Sequence, residues 1–279
     1  MNIEKEYNTS KTDKLGNIEK RFSKIQKFLI KIIIISVILY LFSSHFVVLL
    51  PDKSEILPEL LIDPVQKETD HSIFDLEYRG KNYEIKPMFD YELYGLVVSV
   101  NDIKVWYNIY KNEDTVNFKD ACVIWGSNLE SNDFHEVEYW SGEYTCFSRY
   151  KLNLNFNHNK ISNNHFITDD SKLQKLASKI RIGDQIHFQG FLIDYRDKNC
   201  RNERYCWSKT SISREDINES ARGGGACEIV FLENFEILKR NNNFWNFLHI
   251  ISFWAFVFSI IGIIINFVYK AQSEKKLLK

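Results

Sequence analysis

FWNFLHIISFWAFVFSIIGIIINFVY, residues 244–269, carries no Asp, Glu, Lys or Arg over 26 positions. Coiled as an α-helix at about 1.5 Å per residue it reaches roughly 39 Å, more than the roughly 30 Å hydrocarbon core of a bilayer. It reads as a membrane-spanning helix, and Phe244, Trp245 and Tyr269 suit the two interfaces, where amphipathic rings collect.

Upstream, KFLIKIIIISVILYLF begins a second apolar run, so residues 28–50 are read as the first span, with Lys31 reaching the interface along its aliphatic stem. The leader 1–27 is polar and contains acids, and no small-x-small cleavage pattern follows the apolar core. An uncleaved anchor is therefore expected rather than a signal peptide. Lys20, Arg21, Lys24, Lys27 and Lys31 precede or open the first span, and Lys270, Lys275, Lys276 and Lys279 follow the second. Only Lys53, Lys67, Lys239 and Arg240 lie on the loop side. The positive-inside rule puts the tails 1–27 and 270–279 in the cytoplasm, and makes the chain a two-pass protein of the cytoplasmic (inner) membrane with a periplasmic or extracellular central domain.

The cysteines give an independent argument for that side. All five (Cys122, Cys146, Cys200, Cys206, Cys227) fall between the spans, as in an oxidising compartment where thiols pair. Cys200 and Cys206 can close a short loop, the other pairing is open, and one thiol is left over or pairs between chains. A net charge of -1 offers no basic excess, so nucleic acid is not an expected partner.

Residues 51–71, PDKSEILPELLIDPVQKETDH, carry three prolines and read as a linker. The domain 72–243 opens with short β-branched and aromatic runs at Phe74–Tyr78, Tyr83–Pro87, Tyr94–Val100, Val105–Tyr110 and Ala121–Trp125, and continues through VEYW, YTCFSRY and KLNLN. One helix interrupts the strands: Asp169-Asp170-Ser171 offers an N-cap, and Leu173, Leu176, Ala177 and Ile180 recur at helical spacing before Gly183. QIHFQGFLIDY is then a long strand bent or bulged at Gly190. After an excursion from Arg196 to Ala226, a strand from Cys227 to Leu238 leads to the second span.

The order helix, Gly183-Asp184, long bent strand, excursion and final strand resembles the later half of an oligonucleotide/oligosaccharide-binding (OB) barrel. Ser171–Ile180 would be its capping helix and GDQIHFQGFLID its fourth strand, although more strands precede the helix than a five-stranded barrel needs. The chain also resembles uncharacterised bacterial two-span membrane proteins whose extracytoplasmic domain is marked by DACVIWG, SNNHFI, GDQIHFQGFL, TSISRED and GACEIV. That resemblance implies topology and no particular chemistry. Here Ile217 to Arg222 are inserted between TSISRED and GGGACE.

The candidate binding residues are Asn163, Asn164, His165, Thr210, Ser211, Arg214, Asp216 and Glu228, which OB-like closure would bring toward one end of the barrel. Two readings compete for Cys227. As a half-cystine it is inert and His165 is structural. As a nucleophile it needs His165 as base and an Asp or Glu to orient the ring, because the thiolate is the reactive form. No nucleophile signature flanks it, so the disulfide reading is preferred and no catalytic residue is assigned. His135, His158, His165 and His187 lack the spacing of a metal motif, and Gly223-Gly224-Gly225 lacks the Lys-Ser/Thr of a phosphate loop. Neither metal nor cofactor is expected. Trp106, Trp125, Trp140 and Trp207 can stack on a ligand, but core packing is preferred.

The expected architecture is two transmembrane α-helices flanking a β-rich α+β extracytoplasmic domain with an OB-like barrel. Its expected partners are the lipid bilayer and a protein or envelope component that it tethers. The alternatives are a thiol- or metal-dependent hydrolase acting on envelope material, and an accessory subunit of a transporter.

Overall fold

The computed structural model describes residues 2–101, 116–142, 145–151, 153–201, 206–212 and 226–278. The strand expected at Val105–Tyr110, Trp106, Arg214, Asp216, the insertion Ile217–Arg222 and Gly223-Gly224-Gly225 lie outside the described residues. The chain forms two compact units, Met1–Val48 with Asn242–Lys279, and Leu49–Asn241.

The first unit is a pair of long helices, α1 (Asn2–Val47) and α3 (Asn243–Leu278). They run antiparallel: Asn266 Nδ2 donates to Phe22 O at 3.1 Å near one end, Tyr40 stacks on His249 with centroids 4.1 Å apart, and Phe46 stacks on Trp245 at 4.3 Å near the other. Their apolar windows are only 6% and 11% buried, and both helices are long and apolar enough to cross a membrane. Polar side chains turn inward instead. Ser36, Ser252 and Ser259 donate to carbonyls four residues back at 2.6–2.7 Å, and Ser43 Oγ lies 3.2 Å from His249 Nδ1. Helix α1 extends through the polar stretch read as a tail.

The second unit is built on a closed five-stranded barrel. Its strands are β3 (Lys81–Asn101), β4 (Lys119–Ile124), β7 (Ile161–Ile167), β10 (Ala226–Lys239) and β8 (Gln185–Asp197), which pairs back to β3. All neighbours are antiparallel except β7 and β10. Two runs read as separate strands, Tyr83–Pro87 and Tyr94–Val100, are parts of the single 21-residue β3, which bends at register shifts after Pro87 and Val97. Strands β1 (Val65–Glu68) and β2 (Phe74–Tyr78) pair onto β3, and β9 (Trp207–Ser208) pairs onto β8. The strands surplus to a barrel thus lie outside it, as does a separate hairpin of β5 (Glu138–Ser141) and β6 (Cys146–Arg149).

Inside the barrel, Leu93, Val97, Ala121, Val123, Phe166, Ile186, Phe188, Val230 and Leu232 are packed together, and Ala177 and Ile180 enter the same cluster. Ala177 ends helix α2 (Ser171–Ala177) and Ile180 follows it, so the helix stops three residues short of the expected Ile180; it starts where expected, with Asp170 Oδ1 accepting the N–H groups of Lys172 and Leu173. Gly183-Asp184 then acts as a clamp. Asp184, fully buried, accepts from Arg181 N, Arg240 Nη1 and Asn241 N at 2.7–3.1 Å and ties the end of the helical segment to the end of β10. Residues 51–71 are part of this unit rather than a linker, because β1 lies in them and Leu60 is fully buried in a second apolar cluster.

Candidate functional site

Strands β4, β7 and β10 lie side by side, so DACVIWG, SNNHFI and GACEIV, far apart in sequence, become three neighbouring rows. Asp120 is opposite His165 across the β4–β7 pair. Asn163, on the same face two residues earlier, is opposite Cys122 on one side and Cys227 on the other. Asp120, Asn163, His165 and Cys227 therefore share the outer face of the barrel. They lie between two apolar groups, with Cys122, Ile124 and Ile161 toward one end and Ile167, Ile229 and Phe231 toward the other. By the same alternation Asn164 and Glu228 belong to the inner face, where Asn164 Nδ2 donates to Ser162 Oγ at 2.9 Å.

His165 is the hub. Its Nδ1 lies 2.6 Å from Oδ1 of the buried Asp120, an oxygen that also accepts from Asn117 Nδ2 at 2.6 Å. With Nδ1–H committed to Asp120, Nε2 is turned to Asn163, whose Nδ2 is 3.2 Å away, while Cys227 lies diagonal to His165 on the same face of the barrel. The Asn163 amide can serve either state of the ring, offering Nδ2 to a neutral Nε2 or, rotated, Oδ1 to a protonated one. Cys227 stands outside both disulfides, Cys122–Cys146 and Cys200–Cys206. Its Sγ is hydrogen-bonded with Thr145 Oγ1 at 3.2 Å. The side chain of His165 is 14% exposed and Cys227 is half-buried, so the pair reaches the surface while Asp120 does not.

Burial by itself would favour a neutral ring. The hydrogen bonds to Asp120 and Cys227, and the charge those partners carry, outweigh it and push His165 up to about 10. Tyr195, whose phenol is raised chiefly by burial, also feels Asp120, so its hydroxyl belongs to the same electrostatic neighbourhood. Chemically, the arrangement lets a thiol pass its proton to an imidazole whose positive charge is stabilised by a buried carboxylate. Thr145 can donate its hydroxyl to the resulting thiolate.

The other expected residues divide. Ser211 brackets Cys227, accepting its N–H at Oγ (3.2 Å) and donating N–H to its carbonyl (2.9 Å). Thr210 Oγ1 accepts Ile229 N–H at 3.0 Å, and its own N–H donates to Asp194 at 3.0 Å. These two residues cover the β10 edge before its pairing with β8 begins at Val230. Asn163 and Asn164 are buried residues of β7. Within the chain Cys227 is not a half-cystine, since Cys122 takes Cys146 as its partner and Cys200 takes Cys206. Asp120, Asn117 and Thr145 were missed as site residues, although Asp120 opens the quoted DACVIWG.

His187 pairs with Glu92 at 2.8 Å and stacks on Tyr94, His158 lies against Tyr150 and Phe156, and His135 lies against Phe134. Among the described residues no three His, Cys, Asp or Glu side chains are placed to hold a metal ion. Trp125 is core, whereas Trp140 stacks on Phe147 and lies under Arg149.

Fold and site together define a barrel carrying a cysteine–histidine–aspartate cluster, joined to two helices of membrane-spanning length. No family model matches the chain, and no curated protein and no solved structure matches it.

Proposed function

We propose that this chain is a membrane-anchored, thiol-dependent hydrolase whose barrel unit works outside the cytoplasm on envelope material. The observation that carries the reading is the placement of Cys227 diagonal to His165 on one face of the barrel, with His165 Nδ1 held by buried Asp120. In such a reaction the Cys227 thiolate adds to an acyl carbon and His165 protonates the leaving group. The ring then takes a proton from the water that releases the acyl group. Asp120 keeps Nδ1 occupied and supports the charged ring.

The two apolar helices, the Lys and Arg distribution and the two disulfides support a two-pass chain with cytoplasmic tails and the barrel unit in an oxidising compartment. The strand order, with a parallel third and fifth barrel strand and a helix after the third, supports an OB-like description. The tethering expectation becomes the means by which the spans hold the hydrolase at its substrate.

The test is turnover of p-nitrophenyl acetate and a small acyl thioester by the detergent-solubilised full-length chain. Cys227→Ala and His165→Gln should each lower kcat/KM by about 100-fold or more, and Asp120→Asn by roughly tenfold. Wild-type turnover no faster than that of Cys227→Ala would overturn the reading.

A further inference from the structure

Cys227 has a second electrophile within its own fold. Thr145, whose hydroxyl is 3.2 Å from Cys227 Sγ, immediately precedes Cys146, and Cys146 is half of the Cys122–Cys146 disulfide. We infer that Cys227 exchanges with this disulfide, so that the bond alternates between Cys122–Cys146 and Cys146–Cys227. The inference uses the Cys227–His165 pair but does not depend on the hydrolase reading, because it requires no substrate.

The register decides which sulfur is attacked. Cys122, Asn163 and Cys227 form one row across β4, β7 and β10. At about 4.8 Å per strand the Cys122 and Cys227 Cα atoms stand roughly 10 Å apart, beyond the roughly 7 Å a disulfide spans. Cys146 belongs to the β5–β6 hairpin, a two-stranded sheet separate from the barrel's ladder. Beside the disulfide and the packing of Cys146 and Tyr139 in the second apolar cluster, that hairpin meets β3 through Ser141 Oγ on Ser99 Oγ at 2.7 Å and Gly142 O accepting from Asn101 Nδ2 at 3.4 Å. The hairpin can therefore shift its sulfur from Cys122 to Cys227, while a bond from Cys227 to Cys122 would require strands to separate.

The step balances without an outside oxidant. The Cys227 thiolate, stabilised by the protonated His165 ring, forms a bond to Cys146 Sγ, and the Cys122–Cys146 bond breaks. Cys122 leaves as a thiolate and is reprotonated. One disulfide and one thiol are present before and after. In the exchanged form the nucleophile is covalently masked, so hydrolysis would be off while Cys122 carries the thiol.

The experiment uses the full-length chain in detergent, without reductant, at pH 8. A slow alkylating agent, N-ethylmaleimide at limiting concentration, traps whichever thiol is available, and non-reducing peptide mapping reads the linkage. Alkylated Cys122 with a Cys146–Cys227 cross-link should accumulate beside alkylated Cys227, and His165→Gln should slow its appearance by roughly 100-fold. Alkylation confined to Cys227 throughout would overturn the proposal. Single variants give a second readout under glutathione disulfide, which oxidises two neighbouring thiols and is itself reduced to two glutathione molecules. Cys122→Ser should form Cys146–Cys227, whereas Cys146→Ser should leave Cys122 and Cys227 unlinked. Equal cross-linking in both variants, or in neither, would contradict the assignment of Cys146 as the attacked sulfur.

Discussion

Asp120 decides what the contact between Cys227 and His165 amounts to. A half-buried imidazole beside a thiol can be a packing accident, but a buried carboxylate 2.6 Å from its other nitrogen fixes which nitrogen faces the sulfur. It also makes His165 a pH-dependent part of the fold. A ring raised from 6.5 to about 10 contributes stability that is complete below pH 6.5 and is lost as the pH climbs through 10. The urea midpoint of the wild type should therefore fall between pH 7 and 10 more than that of His165→Gln, and an equal fall in both would refute the link. Cys227 and His165 could be paired from sequence by residue type alone. Asp120 could not, because its partnership exists only through the β4–β7 register, and a one-residue slip would turn it into the barrel.

Among the elements, those set by local chemistry were legible: the Asp170 cap and the helix after it; the irregularity expected at Gly190 lies instead in the partner strand, where Glu233 of β10 is the extra residue. The reason for Gly190 was not legible, since it comes from another strand. A Cβ there would lie 1.9 Å from the carbonyl oxygen of Phe231, where β8 and β10 meet in closing the barrel. Gly190→Ala should cost at least about 2 kcal/mol, read as a lowered urea midpoint with an unchanged slope. A change below about 0.5 kcal/mol would mean that the strands part easily at this point. The continuity of β3 was hidden because Pro87 looks like a break, yet Pro87 sits at a register shift inside the strand.

At the scale of the whole molecule, hydropathy made the two long helices plain, whereas the prolines of residues 51–71 concealed that this segment belongs to the folded unit. The candidate site was half legible: its motifs could be quoted, but their adjacency is a property of barrel closure. One measurement tests both the proposed placement of the barrel unit outside the cytoplasm and the proposed assistance of Cys227 by His165. Intact cells carrying the full chain are exposed to a charged, membrane-impermeant thiol reagent, and labelling of Cys227 is timed by peptide mapping. Cys227 should be labelled in intact cells, several-fold faster in the wild type than in His165→Gln. Labelling only after lysis would contradict the orientation, and equal rates in the two proteins would contradict the catalytic pair.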